Sequence, residues 1–197
     1  MTINKQSRII VGISGASGIS YGIRLLEFLK KCDIETHLIV SKAAQQTRAL
    51  ETKLSAADLY ALADKHYHIN DVAACISSGS YKTLGMIIAP CSMRTLADIA
   101  TGSTSNLLTR AADVVLKERR RLILMVRETP LHLGHLKNMV SITEMGAIIA
   151  PPVPAFYNAP KTIDDLINHS VGRILDLLDI DIGIVNRWCE EPPQVDR

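Results

Sequence analysis

Residues 8–18 read Arg8-Ile9-Ile10-Val11-Gly12-Ile13-Ser14-Gly15-Ala16-Ser17-Gly18. β-Branched residues pass directly into small and hydroxylated ones, and Ile19 to Lys31 follows with apolar positions at helical spacing. The pattern predicts a strand from Arg8 to Ser14, a tight turn, and an amphipathic helix. Small residues in such a turn let backbone N–H groups and hydroxyls surround an anion at a helix N-terminus. A strand-to-helix turn without a ligand is the plainer alternative. No Lys-Ser or Lys-Thr follows Gly18, so this is not a P-loop, and the tight Gly-x-Gly of a dinucleotide fingerprint is absent.

Working outward, the same alternation repeats. Strands are predicted at Glu35–Ser41, Leu84–Ala89 (stopped by Pro90), Leu122–Arg127 and Ala147–Ala150. Helices are predicted at Lys42–Glu51, Ala56–Lys65, Thr95–Ala100, Thr104–Lys117, a segment that Gly146 terminates, and Ile163–Leu178. Short strands alternating with longer helices give an α/β class, a parallel sheet with helices on both faces. Ile76–Thr83 and the proline-rich Pro151–Pro160 read as ordered loops. With 197 residues, no repeat and no shift of composition, one domain over 1–189 suffices, with 190–197 as a tail.

Composition narrows the function classes. The 22 basic and 20 acidic side chains leave a formal +2, and 4% of residues are aromatic, so neither a polybasic footprint nor a base-stacking platform stands out. Nucleic acid is disfavoured. Cys32, Cys75, Cys91 and Cys189 form no Cys-x-x-Cys pair, which fits reduced thiols and a cytoplasmic setting. No apolar run approaches the ~18 residues of a membrane span.

Chemistry-bearing residues gather at predicted strand ends. Ser41-Lys42 stands where a nicotinamide-binding fold usually places an acid for the ribose, which disfavours NAD. Pro90-Cys91-Ser92-Met93-Arg94-Thr95 supplies hydroxyls, an Arg and a helix start at a second ligand-facing edge, although an N-capped helix explains it equally. Cys91 reads as packing, since no base accompanies it. Arg127-Glu128 sets a cation and a carboxylate at a third edge, where a surface ion pair is the bland reading. Arg110 and Lys117, seven apart on one helix, share a face and suit an anion; Lys117 to Arg121 also reads as a solvated helix end. The pairs His132/His135 and His66/His68 lack a metal-binding companion, and Asp164-Asp165 reads as a helix cap. Tyr157, Arg173 and Trp188 are isolated signals that packing explains.

The motifs that recur in order are residues 12–18, Ser41-Lys42-Ala43-Ala44, Ser78-Gly79-Ser80, Pro90-Cys91-Ser92, Arg110-Ala111-Ala112-Asp113, Leu116-Lys117-Glu118-Arg119-Arg120, Arg127-Glu128-Thr129-Pro130, Phe156-Tyr157 and Arg187-Trp188. Covering almost the whole chain, they resemble the UbiX-type flavin prenyltransferases, formerly labelled phenylacrylic acid or polyprenyl-hydroxybenzoate decarboxylases. The resemblance implies a flavodoxin-like or Rossmann-like subunit that binds FMN, needs no metal, and assembles into a dodecamer with sites at subunit junctions. It implies transfer of the dimethylallyl group of dimethylallyl phosphate to N5 and C6 of reduced FMN, giving prenylated FMN for a separate UbiD-type aromatic acid decarboxylase.

By the same resemblance, Gly15, Ala16, Ser17, Ser41, Ser92, Met93, Arg94, Thr95 and Arg127 are FMN contacts. Lys117, Glu128, Tyr157 and Arg173 form the dimethylallyl phosphate set, their cations stabilising the departing phosphate. Glu51 handles protons near the flavin, and either it or the released phosphate serves as the base at C6. Trp188 offers a ring face to an allylic cation. Cys75-Ile76-Ser77 and Ala155 depart from many members, at positions bearing on the prenyl pocket. Two rival readings are an FMN-binding electron carrier or storage protein and an enzyme like the flavin-dependent cysteine decarboxylases.

Overall fold

A computed structural model describes residues 7–185; Arg187, Trp188 and the 190–197 tail lie outside the described residues. Six parallel strands form one sheet: β1 (Ser7–Ile13), β2 (Ile34–Val40), β3 (Lys65–Tyr67), β4 (Gly85–Cys91), β5 (Arg121–Val126) and β6 (Ile148–Ile149), in the order β3-β2-β1-β4-β5-β6. Helices α1 (Ile19–Leu29), α2 (Lys42–Glu51), α3 (Ala56–Tyr60), α4 (Met93–Ala100), α5 (Leu107–Lys117), α6 (Leu133–Glu144) and α7 (Ile163–Asp176) complete it. This is the three-layer α/β fold that the alternation predicts, flavodoxin-like as the resemblance implies.

β1, β4 and β5 are apolar on both faces, as buried parallel strands are, whereas β2 buries Glu35, Thr36 and His37 among its apolar residues. Ile9, Val11 and Ile13 of β1 pack with Ile87, Ile123, α1 and α7 on one side. Ile10, Ile39, Met86 and Ile88 pack with α4, α5 and Ile142 of α6 on the other. Strand order reverses between β1 and β4, so their carboxyl ends open a crevice at the topological switch point, where ligands of such sheets bind.

Three local expectations are corrected. Residues 56–65 are not one helix: α3 stops at Tyr60, and Lys65–Tyr67 adds β3 to the edge of β2. Pro90 does not stop β4, because the ladder shifts register after Ile88 and resumes at Cys91 opposite Val126; Pro fits at such an irregularity, where no ladder N–H is needed. The helix expected from Thr104 begins at Leu107, where Asn106 caps it by accepting the Thr109 amide. The cap reading of Asp164-Asp165 holds, with Thr162 and Asp165 forming a reciprocal capping box.

A buried polar knot ties β3 to the sheet. His37 is fully buried; its Nδ1 lies 2.8 Å from Tyr67 Oη, and its Nε2 lies 3.2 Å from Tyr81 Oη and 3.1 Å from Glu35 Oε1. Lys65 Nζ lies 2.5 Å from the same carboxylate oxygen. Burial pushes the imidazole below its ordinary pKa and outweighs the pull of Glu35. His37 is therefore neutral at neutral pH.

Candidate active site

The crevice at the switch point is built by backbone first. Ser14 Oγ donates to Pro90 O at 3.0 Å and accepts the Ser92 amide at 2.7 Å, stitching the ends of β1 and β4 together. Beside this stitch lies a cleft of about 320 Å³ lined by Gly15, Ser41, Lys42, Ser92, Arg94, Thr95 and Asn106, among others. Gly15 lies so close to α2 that a Cβ there would stand 2.3 Å from Ala43 Cβ.

Three helices begin at this cleft, each with a capped first turn: Ser41 Oγ accepts the Ala44 amide, Ser92 Oγ the Thr95 amide, and Asn106 Oδ1 the Thr109 amide. Each N-terminus carries roughly half a positive charge, so the cleft is a place for an anion that needs no metal. A helix predicted from Thr104 hides Asn106 inside its first turn. An Asn immediately before the first apolar helical position was the available signal.

The start of α1 is different. Glu51, the last residue of α2, places Oε2 at 2.9 Å from the Gly18 amide and 3.1 Å from the Ile19 amide. Burial raises the Glu51 pKa, but the Ser17 hydroxyl, these two amides and Arg127 outweigh it and hold the carboxyl below its usual range. Arg127 also acts on Tyr21 of α1, whose phenol burial nevertheless raises. Ser17, Glu51, Arg127 and Tyr21 thus act on one another at the start of α1, where Ser17 stands two residues past the cleft-lining Gly15. Glu51 stands there as an ionised acceptor committed to two amides.

The remaining expected residues are distributed. Ala16 and Thr95 are buried, Met93 is half-buried against the core, and Arg94 is exposed with Asp98 4.0 Å away. Cys91 is fully buried, and burial drives its thiol far above the usual range. Glu128 follows β5 at the carboxyl edge, its Oε1 accepting the Thr129 amide. Lys117 ends α5, four residues before β5 begins. A six-residue strand spans roughly 17–20 Å, so Lys117 and Glu128 stand at opposite edges of the sheet.

Arg110 pairs with Asp113 on α5. Tyr157 lies 3.4 Å from His169 Nε2, and Arg173, one turn along α7, pairs with Asp176. The structure therefore gathers the cleft residues at the starts of α2, α4 and α5, and joins Glu51 and Arg127 to them through the 15–18 turn. Within one chain it leaves Lys117, and the pair Tyr157 and Arg173, apart from them. Among the described residues no group of three or more His, Cys, Asp or Glu side chains is placed to hold a metal ion, and no helix is long and apolar enough to cross a membrane.

Comparison with known proteins adds the following. The family model described as Flavoprotein matches residues 2–175. The flavin prenyltransferase UbiX of Neisseria meningitidis is 58% identical over 181 residues, covering 92% of this chain and 96% of that protein. The crystal structure of AnUbiX in complex with FMN and dimethylallyl pyrophosphate superposes with a TM-score of 0.92 at 51% identity, covering 93% of this chain and 98% of the other. A dodecameric FMN-dependent UbiX-like decarboxylase from Escherichia coli O157:H7 gives 0.90 at 49% identity, covering 92% and 98%.

Proposed function

The chain belongs to the flavoprotein family, among the UbiX-type flavin prenyltransferases, and on that footing we propose that it transfers the dimethylallyl group of dimethylallyl phosphate to N5 and C6 of reduced FMN, releasing phosphate. The observation that carries the reading is the cleft on which the capped starts of α2, α4 and α5 converge. Its donors suit the phosphate of FMN without a cation, and Gly15 keeps the space beside Ala43 clear. Gly15, Ala16, Ser17, Ser41, Ser92, Met93, Arg94, Thr95 and Arg127 would hold the flavin. When bound, reduced FMN supplies the nucleophilic ring atoms.

The chain's own part is to hold charge and exclude water. Lys117, Tyr157 and Arg173 meet the phosphate of the prenyl donor, with Arg110 on the same helix face as Lys117, and Glu128 stands at the reacting edge. Lys117 stands a strand's length from Glu128 in its own subunit, which supports a site completed by neighbouring subunits. The dodecameric state of the Escherichia coli relative supports this, as do the exposed Leu133, Leu136 and Val140 along α6. Trp188 would offer a ring face to the allylic group. Commitment of Glu51 to two amides favours the released phosphate as the base at C6.

In this reading one domain spans 1–189 with 190–197 as a tail, works in the cytoplasm, and passes its product to a UbiD-type aromatic acid decarboxylase. The relatives do not favour the electron-carrier or cysteine-decarboxylase readings.

Mass spectrometry of the flavin released after anaerobic incubation with reduced FMN and dimethylallyl phosphate tests the reaction. Flavin heavier by one C5 unit, with phosphate released, is the expected result. Unmodified FMN from folded, flavin-loaded protein overturns it.

A further inference from the structure

The turn that closes α5 is built in an unusual way. Glu118 caps the helix, and Arg119 follows at φ 56°, in the left-handed region that glycine usually occupies at a helix end. The Arg119 amide donates to Leu116 O and the Arg120 amide to Val115 O, both at 2.9 Å, closing the paired bonds of a Schellman motif. A side chain in that region is strained, and the strain persists only where the surroundings hold it.

The turn folds Glu118 onto its own neighbour. Lys117 Nζ lies 2.5 Å from Glu118 Oε1, a contact that adjacent residues of a continuing helix do not make. Arg120 stands behind the pair, 3.9 Å from Glu118 Oε2, its guanidinium donating to Gly79 O at 2.6 Å and Tyr81 O at 2.9 Å. Gly79 closes the frame: a Cβ there would lie 2.1 Å from Glu118 Oε1 and 2.7 Å from Lys117 Nζ. These are ends of flexible side chains, so a methyl group at 79 would displace the pair without breaking the fold.

An exposed ion pair contributes little to stability. What the frame does accomplish is to fix a long, freely rotating side chain in one place. We infer that Glu118, backed by Gly79 and Arg120, is a positioning residue for Lys117, holding its ammonium where the phosphate of the prenyl donor meets it in a neighbouring subunit's site. This rests on the role of Lys117 proposed above. The hydrogen bond from Lys117 also holds the Glu118 carboxyl below its usual range, so Glu118 is a carboxylate at neutral pH.

The test uses the assembled protein with reduced FMN, comparing Glu118→Gln, Glu118→Asp, Gly79→Ala and the Glu118→Gln/Gly79→Ala double variant, with Lys117→Met as reference. Loss of a binding contact without loss of chemistry raises KM at constant kcat, so Glu118→Gln and Gly79→Ala are each expected to raise KM for dimethylallyl phosphate by about five- to tenfold with kcat within about twofold. FMN affinity and assembly stay unchanged, Glu118→Asp recovers part of the loss, and the double variant is no worse than either single one, because both act through one contact.

An unchanged KM in Glu118→Gln, or additive losses in the double variant, overturns the positioning role while leaving Lys117 in place. Should Glu118→Gln fail to assemble, Gly79→Ala decides alone by the same KM criterion. Full activity in Lys117→Met instead removes the reading beneath it.

Discussion

Glu51 Oε2 accepts the Gly18 amide at 2.9 Å across 33 residues of sequence, so the positive end of α1 already holds an anion supplied by the protein. A strand, a glycine-rich turn and a helix suggest a phosphate at that helix. The structure fills the position with a carboxylate and leaves the starts of α2, α4 and α5 to face the cleft.

Replacing Glu51 by Ala strips both amides of their partner. Charge-assisted bonds at an exposed helix start are modest, so the loss is about 1 kcal/mol, seen as a Tm lower by about 2–4 °C at pH 7. The folded carboxyl titrates below its ordinary 4.5. Its stabilisation is present above that value and disappears as pH falls through the folded value. Melting curves of wild type and Glu51→Ala therefore converge in acid.

Gly15→Ala would set a methyl group against Ala43 Cβ at 2.3 Å and its carbonyl carbon at 3.1 Å. Here backbone must move, unlike at Gly79. Overpacking of this kind costs about 1–3 kcal/mol, and a shifted α2 start weakens FMN binding by about tenfold or more. Fluorescence titration with FMN measures it; unchanged affinity would separate the Gly15–Ala43 contact from the flavin site.

Lys117→Ala and Glu128→Gln are each expected to bind FMN and lose prenylation. If every site takes Lys117 from one subunit and Glu128 from another, co-assembled variants regain roughly a quarter of wild-type activity, the fraction of junctions drawing both intact residues. A site contained within one subunit would regain none. Activity of heteromers refolded from equal amounts of the two variants distinguishes them.

His37 is depressed below its ordinary 6.5 by burial. The unfolded chain therefore binds a proton that the folded one resists, and stability falls as pH drops below about 6.5. His169 is lowered by burial and Arg173 and adds in the same direction. His37→Gln should lower Tm at pH 7.5 yet flatten its decline between pH 7 and 5.5, without abolishing it. An undiminished slope would assign the effect elsewhere.

Arg119→Gly relieves the left-handed side chain at the end of α5. A gain of about 1 kcal/mol, or about 2–4 °C in Tm, is expected, with FMN binding unaltered. Differential scanning calorimetry checks it.

Much of this was legible in the sequence because β1, β4 and β5 are apolar on both faces, β2 ends in Leu38-Ile39-Val40, and turn residues punctuate them all. β3 was hidden: Lys65-His66-Tyr67 has no strand signature and exists through its pairing with β2 and the knot at His37. The cleft was legible as loop chemistry at strand ends, whereas the occupation of α1 by Glu51 depends on how α2 packs, which no local pattern records. The separation of Lys117 from Glu128 was within reach. A helix linking two parallel strands runs antiparallel to them, so its last residue lies at the edge opposite to residues that follow a strand.

Cys91 closes β4 one residue before the cleft-lining Ser92, and its burial keeps it a thiol. Reduced flavins react with dioxygen to give hydrogen peroxide, which oxidises thiolates far faster than thiols. With reduced flavin bound in the proposed cleft, a sulfur at this position would be an early casualty of air if it ionised. Sealed inside the sheet, Cys91 is kept out of reach of peroxide that such a flavin would make in air, whereas Cys75 lies exposed.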